Sequence, residues 1–122
     1  PYENLRALTR DNGDDMANKV IEEILDNHKH PAIIAVANEI GSLVVKHITE
    51  RGLRFKKDVS LIIYDDIEIA KLMNITCIGH DKKAIAHGIV ETVIEGIENQ
   101  GEPGREPRRI TFLPMLIERD SV

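Results

Sequence analysis

Two short apolar runs, each broken off by amide or acid side chains, do most to limit what this chain can fold into. The first is Ala32 to Ala37, Ala-Ile-Ile-Ala-Val-Ala, followed at once by Asn38. The second is Val59 to Tyr64, Val-Ser-Leu-Ile-Ile-Tyr, followed by Asp65-Asp66. Neither run alternates polar with apolar residues, as expected of strands covered on both faces of a sheet. Helical spacing fills the gaps. Val20, Ile21, Ile24 and Leu25 share one face of a helix predicted over 16–27. Ile40, Leu43, Val44, His47 and Ile48 share one face of a second helix, running from Asn38 to about Arg51. Gly52 stands where the glycine after a helix belongs, with Leu53 behind it. Ile75 to Gly79 predicts a third short strand. A long helix follows over about 81–98, with Ile85, Ile89, Val93 and Ile97 at steps of four and Val90 and Ile94 beside them. Leu5 to Arg10 is a further strand candidate, with Asp11 to Asp15 forming an acidic turn suited to a helix N-terminus. Gly101-Glu102-Pro103-Gly104 reads as a loop. Ile110 to Arg119 is extended, and Pro114 within it suggests an edge or crossing strand. The alternation predicts an α/β fold, a parallel sheet flanked by helices with right-handed crossovers.

Length and composition bound the function. A chain of 122 residues is one domain in size, and 42% apolar with 30% charged residues is an ordinary globular balance. Aromatic residues make up 3% and Trp is absent, so the core must be aliphatic. The net charge of −5 argues against a nucleic-acid grip by this chain itself. Cys77 is the single cysteine. It has no internal partner for a disulfide, which fits a reducing, cytoplasmic setting; the Asn74-Ile75-Thr76 sequon is then a chance match. No apolar run approaches the roughly 20 residues of a membrane span, and the N-terminal residues do not read as a signal peptide. The chain does not begin with Met, so it reads as part of a longer one.

In open parallel sheets ligands bind beyond the carboxyl ends of the strands. Asn38, Asp65 and Asp66 follow two such ends, and His80 follows a third. A carboxylate there suits sugar hydroxyls or Mg²⁺, yet Asp also caps turns. An amide offers both donor and acceptor to a hydroxyl, yet Asn also caps helices. Both pairs of readings stay open on the residues alone. His28, His30, His47, His80 and His87 show no metal-ligand spacing. Cys77 lies inside a strand and Ser42 lacks a nucleophile-elbow context, so no catalytic residue, metal or cofactor is expected. The arginines of 105–109 read as solvated surface. The wide apolar side of the long helix must cover a sheet or a partner.

Three stretches together resemble the effector domain of the lactose-repressor/galactose-repressor family of transcription regulators. They are Pro31-Ala-Ile-Ile-Ala-Val-Ala-Asn-Glu, Glu50-Arg-Gly-Leu-Arg-Phe-Lys-Lys-Asp-Val-Ser-Leu-Ile-Ile-Tyr-Asp-Asp, and Leu113-Pro-Met-Leu-Ile-Glu-Arg-Asp-Ser-Val. The resemblance runs from about Leu5 to the end. It implies a periplasmic-binding-protein-like fold of two subdomains with the effector between them. Residues of about 1–80 and 109–122 would form most of the C-terminal subdomain. Those of about 81–108 would form a crossover helix packing on the other subdomain. Carried over residue by residue, Asn38 and Asp65 would bind a small polar effector, a sugar or nucleoside, and His80 would take the position usual for Gln. The family also implies a homodimer, formed partly through the Ile40–Arg51 helix, where Val45 is expected off the core stripe. It implies DNA contact only through a head domain outside this chain, and no membrane. Glu39, Lys56 and Ile63 depart from the usual Asp, Pro and Gly, and the usual Pro-Pro after Asn74 is missing. A transporter's sugar-binding receptor and a Mg²⁺-dependent phosphoacceptor domain using Asp65 and Asp66 are the alternatives.

Overall fold

The computed structural model describes residues 13–98 and 109–122. The expected Leu5–Arg10 strand, the Gly101–Gly104 loop and most of the arginine loop lie outside the described residues. Within them the order is α1 (Gly13–Asn27), β1 (Ala32–Ala35), α2 (Asn38–Glu50), β2 (Ser60–Tyr64), α3 (Glu68–Leu72), β3 (Thr76–Gly79), α4 (Lys82–Glu98) and β4 (Met115–Ile117). The strands form one sheet in the order β1-β2-β3-β4. The first three are parallel and β4 joins β3 antiparallel. The α/β architecture expected from the sequence is therefore present.

The register explains the core. Ala35 pairs with Ile63 and Ile63 with Cys77, so the three side chains line one face, and all are buried. α2 lies on that face. A Cβ on Gly41 would come within 3.0 Å of Ile63 Cγ2, so the absent side chain is what lets the helix approach β2. α1 packs in turn on α2, with Asn18 Oδ1 lying 2.7 Å from His47 Nε2. This second contact corrects one expectation: Val45, placed off the core stripe from helical spacing, is only 4% exposed. A helix packed against both a sheet and another helix buries a wider arc than one stripe.

A second correction concerns β1. Its unbroken apolar run predicted cover on both faces, but Ile34 is 62% and the adjoining Val36 71% exposed. Helix packing covers the Ala35 face, while the opposite face is left open at its β1 end, though Ile62 is half-buried and Thr76 fully buried further along it. The apolar side of α4 is likewise open: Ile89, Val90, Val93, Ile94 and Ile97 are all exposed.

Local signals read from sequence hold at the helix ends. Gly52 takes a φ of +64°, its N–H donates to Thr49 O at 3.0 Å, and Leu53 N–H donates to Ile48 O at 3.0 Å. These are the two bonds of a Schellman ending. Asp81 caps α4, its Oδ1 accepting the N–H groups of Lys83 and Ala84, each at 3.0 Å. α3 was not anticipated; at five residues it is too short to show a period. The last extended segment contracts to three residues, with Pro114 just ahead of them, and sits at the sheet edge as proline requires.

The residues after β4 close the sheet. Ser121 is fully buried. Its Oγ donates to Leu61 O at 2.5 Å and accepts the Thr76 N–H at 2.9 Å, and its carbonyl accepts the Leu61 N–H at 3.1 Å. One residue thereby ties β2 to β3. Ser121→Ala leaves two buried backbone groups short of a partner and is expected to cost about 1–3 kcal/mol, read as a lowered urea midpoint. Val90→Lys with Ile97→Lys should leave stability within about 0.5 kcal/mol, since both sites are exposed. The pair should reduce self-association in sedimentation velocity.

Candidate functional site

Three parallel neighbours bring their carboxyl ends to one edge, and each is followed by a predicted site residue. Asn38 opens α2 just beyond β1, Asp65 follows Tyr64 of β2, and His80 follows Gly79 of β3. With strands about 4.8 Å apart, the three ends span roughly 10 Å, the scale of one sugar ring or nucleoside.

The two aspartates have separate fates. Asp66 Oδ1 accepts a hydrogen bond and ion pair from Arg119 Nη2 at 2.7 Å, both side chains being mostly buried, at 21% and 16% exposure. Arg119 Nη1 also donates to Ile75 O at 2.8 Å and to Cys77 Sγ at 3.3 Å. The hydrogen bond that the guanidinium donates to Asp66 is the main cause holding it above its ordinary pKa. A cation thus already occupies the place where Mg²⁺ would need Asp66, which disfavours the paired-carboxylate metal reading. Cys77 is enclosed here, and burial pushes its thiol up, the reverse of what a nucleophile needs.

Asp65 is held by its backbone instead. Its N–H donates to Ile78 O at 2.8 Å and its carbonyl accepts the Ile67 N–H at 3.1 Å. Its φ is +72°, the left-handed region. Asp tolerates that region better than most residues, and such backbone concentrates at binding sites. The carboxylate makes no hydrogen bond or ion pair among the described residues. The turn is closed by the backbone carbonyl, so the capping role open from sequence is not the one Asp65 plays.

Asn38 is similarly free. The residue at the α2 cap position is Ala37, and no side chain caps the helix. Asn38 accepts Ser42 Oγ through its backbone carbonyl at 3.0 Å, and its exposed side-chain amide has no partner among the described residues. Two polar side chains at adjacent strand ends are thus left with unused hydrogen-bonding capacity.

His80 differs. Its Nε2 lies 3.1 Å from Tyr64 Oη, with the rings edge to face at 5.6 Å between centroids. Its Nδ1 is enclosed without a hydrogen-bond partner among the described residues. Sequence reasoning missed Tyr64, whose place beside Asp65 was the available signal. It also noted the Arg119-x-Ser121 ending without its role as a clasp. A shallow depression of about 270 Å³ lies elsewhere, on α4, lined by Gly88, Ile89, Thr92, Val93, Ile110 and Phe112. None of the three strand-end residues, Asn38, Asp65 and His80, lines that depression.

Three parallel strands and one antiparallel edge strand flanked by helices define an α/β domain, with the amide of Asn38 and the carboxylate of Asp65 at one edge of its sheet. The chain belongs to the periplasmic binding protein-like domain family, whose pattern matches residues 2–122. Within it, the chain is of the lactose-repressor/galactose-repressor effector-domain type. It is 30% identical over 105 residues to the HTH-type transcriptional repressor PurR of Haemophilus influenzae, covering 84% of this chain and 31% of that one. Among solved structures, it is similar to a LacI family transcriptional regulator from Arthrobacter sp. FB24 in complex with lactose. That match has a TM-score of 0.71 and 22% identity, over 86% of this chain and 40% of the other. It is also similar to the Escherichia coli transcriptional repressor ascG, with a TM-score of 0.66 and 25% identity, over 87% and 38%. The chain thus spans about a third of the length of the curated relatives it matches.

Asn38→Ala should leave the urea midpoint within about 0.5 kcal/mol of wild type, because no cap is lost. Arg119→Met should lower it by about 2–3 kcal/mol, as Asp66 is left half-buried without its cation.

Proposed function

We propose that this domain senses a small polar effector, a sugar or nucleoside, on behalf of a transcription regulator. The observation that carries the reading is the pair of unpartnered side chains, Asn38 and Asp65, at adjacent strand ends of a repressor-type fold. A carboxylate accepts hydrogen bonds from two hydroxyls, and an amide gives and takes one. Together they fit a polyhydroxylated ring, with His80 on the same edge. The relatives are repressors, which favours a regulator over a transporter's receptor or an enzyme. The Arthrobacter neighbour was solved with lactose, which supports a saccharide as the first ligand to try.

On this reading DNA is contacted by a head domain outside the chain, and the regulator works in the cytoplasm as a homodimer. No described helix is long and apolar enough to cross a membrane. The exposed apolar row of α4 is the surface expected of a crossover helix that packs on a second subdomain, as proposed for about 81–108. An effector held between two subdomains favours the closed arrangement by its differential affinity for it. That shift would be transmitted as a change in the spacing of the DNA-reading heads.

The test is Asp65→Asn in the regulator that carries this domain, with effectors found by a thermal-shift screen of pyranosides and nucleosides. Loss of a charge-assisted hydrogen bond is expected to weaken affinity by about tenfold to a hundredfold in calorimetry, with the unfolding temperature unchanged. Equal affinity for the variant and the wild type overturns the assignment.

A further inference from the structure

We infer that Tyr64 offers its hydroxyl proton to the effector and that His80 is the positioning residue that fixes where this proton points. The inference rests on the effector-binding reading of these strand ends.

Three observations carry it. Tyr64 Oη and His80 Nε2 are in hydrogen-bond contact at 3.1 Å. His80 Nδ1 is enclosed, with no hydrogen-bond partner among the described residues. Tyr64 directly precedes Asp65, whose carboxylate is unpartnered among the described residues. A buried N–H without an acceptor is the rarer orphan in proteins. A bare ring lone pair is the milder one. The neutral imidazole of His80 therefore carries its proton on Nε2 and leaves Nδ1 unprotonated. The Nε2–H then donates to the phenolic oxygen. Tyr64 accepts from His80, and its own O–H is turned away from the imidazole, with no other partner among the described residues.

The strand end then presents opposite polarities on consecutive residues, a donor on Tyr64 and an acceptor on Asp65. A polyol such as a vicinal diol, with one hydroxyl accepting from Tyr64 and another donating to Asp65, would satisfy both groups. Pyranoses and ribose carry that group; a deoxygenated ring does not. Phe at 64 would keep the ring packing and lose the donor. In this arrangement neither His80 nitrogen is open to a ligand, so His80 acts through Tyr64.

The test uses the full chain, labelled with ¹⁵N and ¹³C, with lactose and adenosine as probes. Two-bond ¹H–¹⁵N spectra, recorded where the ring is neutral, should show His80 as the Nε2–H tautomer; the Nδ1–H tautomer overturns the inference. Binding by either probe should shift the Tyr64 Cζ resonance along with the Asp65 carboxyl. Tyr64→Phe should weaken that binding about tenfold, the worth of one hydrogen bond. His80→Gln, which keeps an N–H donor, should stay within about twofold of wild type, while His80→Leu should fall to the level of Tyr64→Phe. Wild-type affinity in Tyr64→Phe, with binding lost in Asp65→Asn, overturns the inference and leaves the site standing. Silence of both Tyr64 and Asp65 towards both probes removes the site as well.

Discussion

The structure depends on a clasp made by the last few residues of the chain. Three short parallel strands joined by helices have no hairpin to lock their register, and β4 adds only three residues at the edge. What locks them is side-chain and terminal backbone bonding. Ser121 bridges Leu61 of β2 and Thr76 of β3, while the Arg119 N–H and carbonyl both engage Thr76 Oγ1. The guanidinium then reaches past Ile75 and Cys77 to Asp66. Because these groups lie mostly out of water, each is worth more satisfied than a surface bond and costs more if broken. Arg119 and Asp66 are 53 residues apart, so the clasp joins the end of the chain to its middle.

The clasp also sorts the two aspartates. Adjacent carboxylates at a strand end repel and compete for any cation. Arg119 settles the competition by taking Asp66, which leaves Asp65 alone at the edge, with a backbone pinned on both sides by Ile78 and Ile67. A positive φ at a non-glycine residue persists only where its surroundings over-determine it. The result is a carboxylate fixed in place by bonds that do not use its oxygens.

Much of this was legible in the residues, and the failures have a common cause. Period and punctuation located α1, α2, α4 and the three parallel strands, and Gly52 marked a helix end through local backbone chemistry. Placing Asn38, Asp65 and His80 on one edge followed from the α/β alternation alone. Properties that depend on who packs against whom were not legible. Val45 looked peripheral because helical spacing knows nothing of α1 lying across α2. Ile34 and Val36 looked buried because an apolar run reports what a strand can bury, not what meets it. The division of labour between Asp65 and Asp66 is invisible to spacing, since it is decided by an arginine at the far end of the chain. Tyr64 was passed over because an aromatic residue ending a strand reads as packing until its hydroxyl is seen against His80.

A single wall of a crevice does no conformational work by itself. Ligand binding shifts an equilibrium between two arrangements only by the difference in its affinity for them. On the reading proposed here, that difference arises when a second wall closes over Asn38 and Asp65. Three features of this chain bear on that step. The clasp keeps the wall from yielding, so contacts made by the effector move a whole subdomain and not a loop. The apolar row on α4, from Ile89 to Ile97, is exposed and fits a surface that such a closure would use. Polarity at the wall, donor and acceptor on consecutive residues, restricts which ligands can make the contacts at all. Rigidity, an unfilled apolar face and a fixed hydrogen-bond pattern are each unremarkable alone. Combined, they describe one half of a device whose output requires the other half.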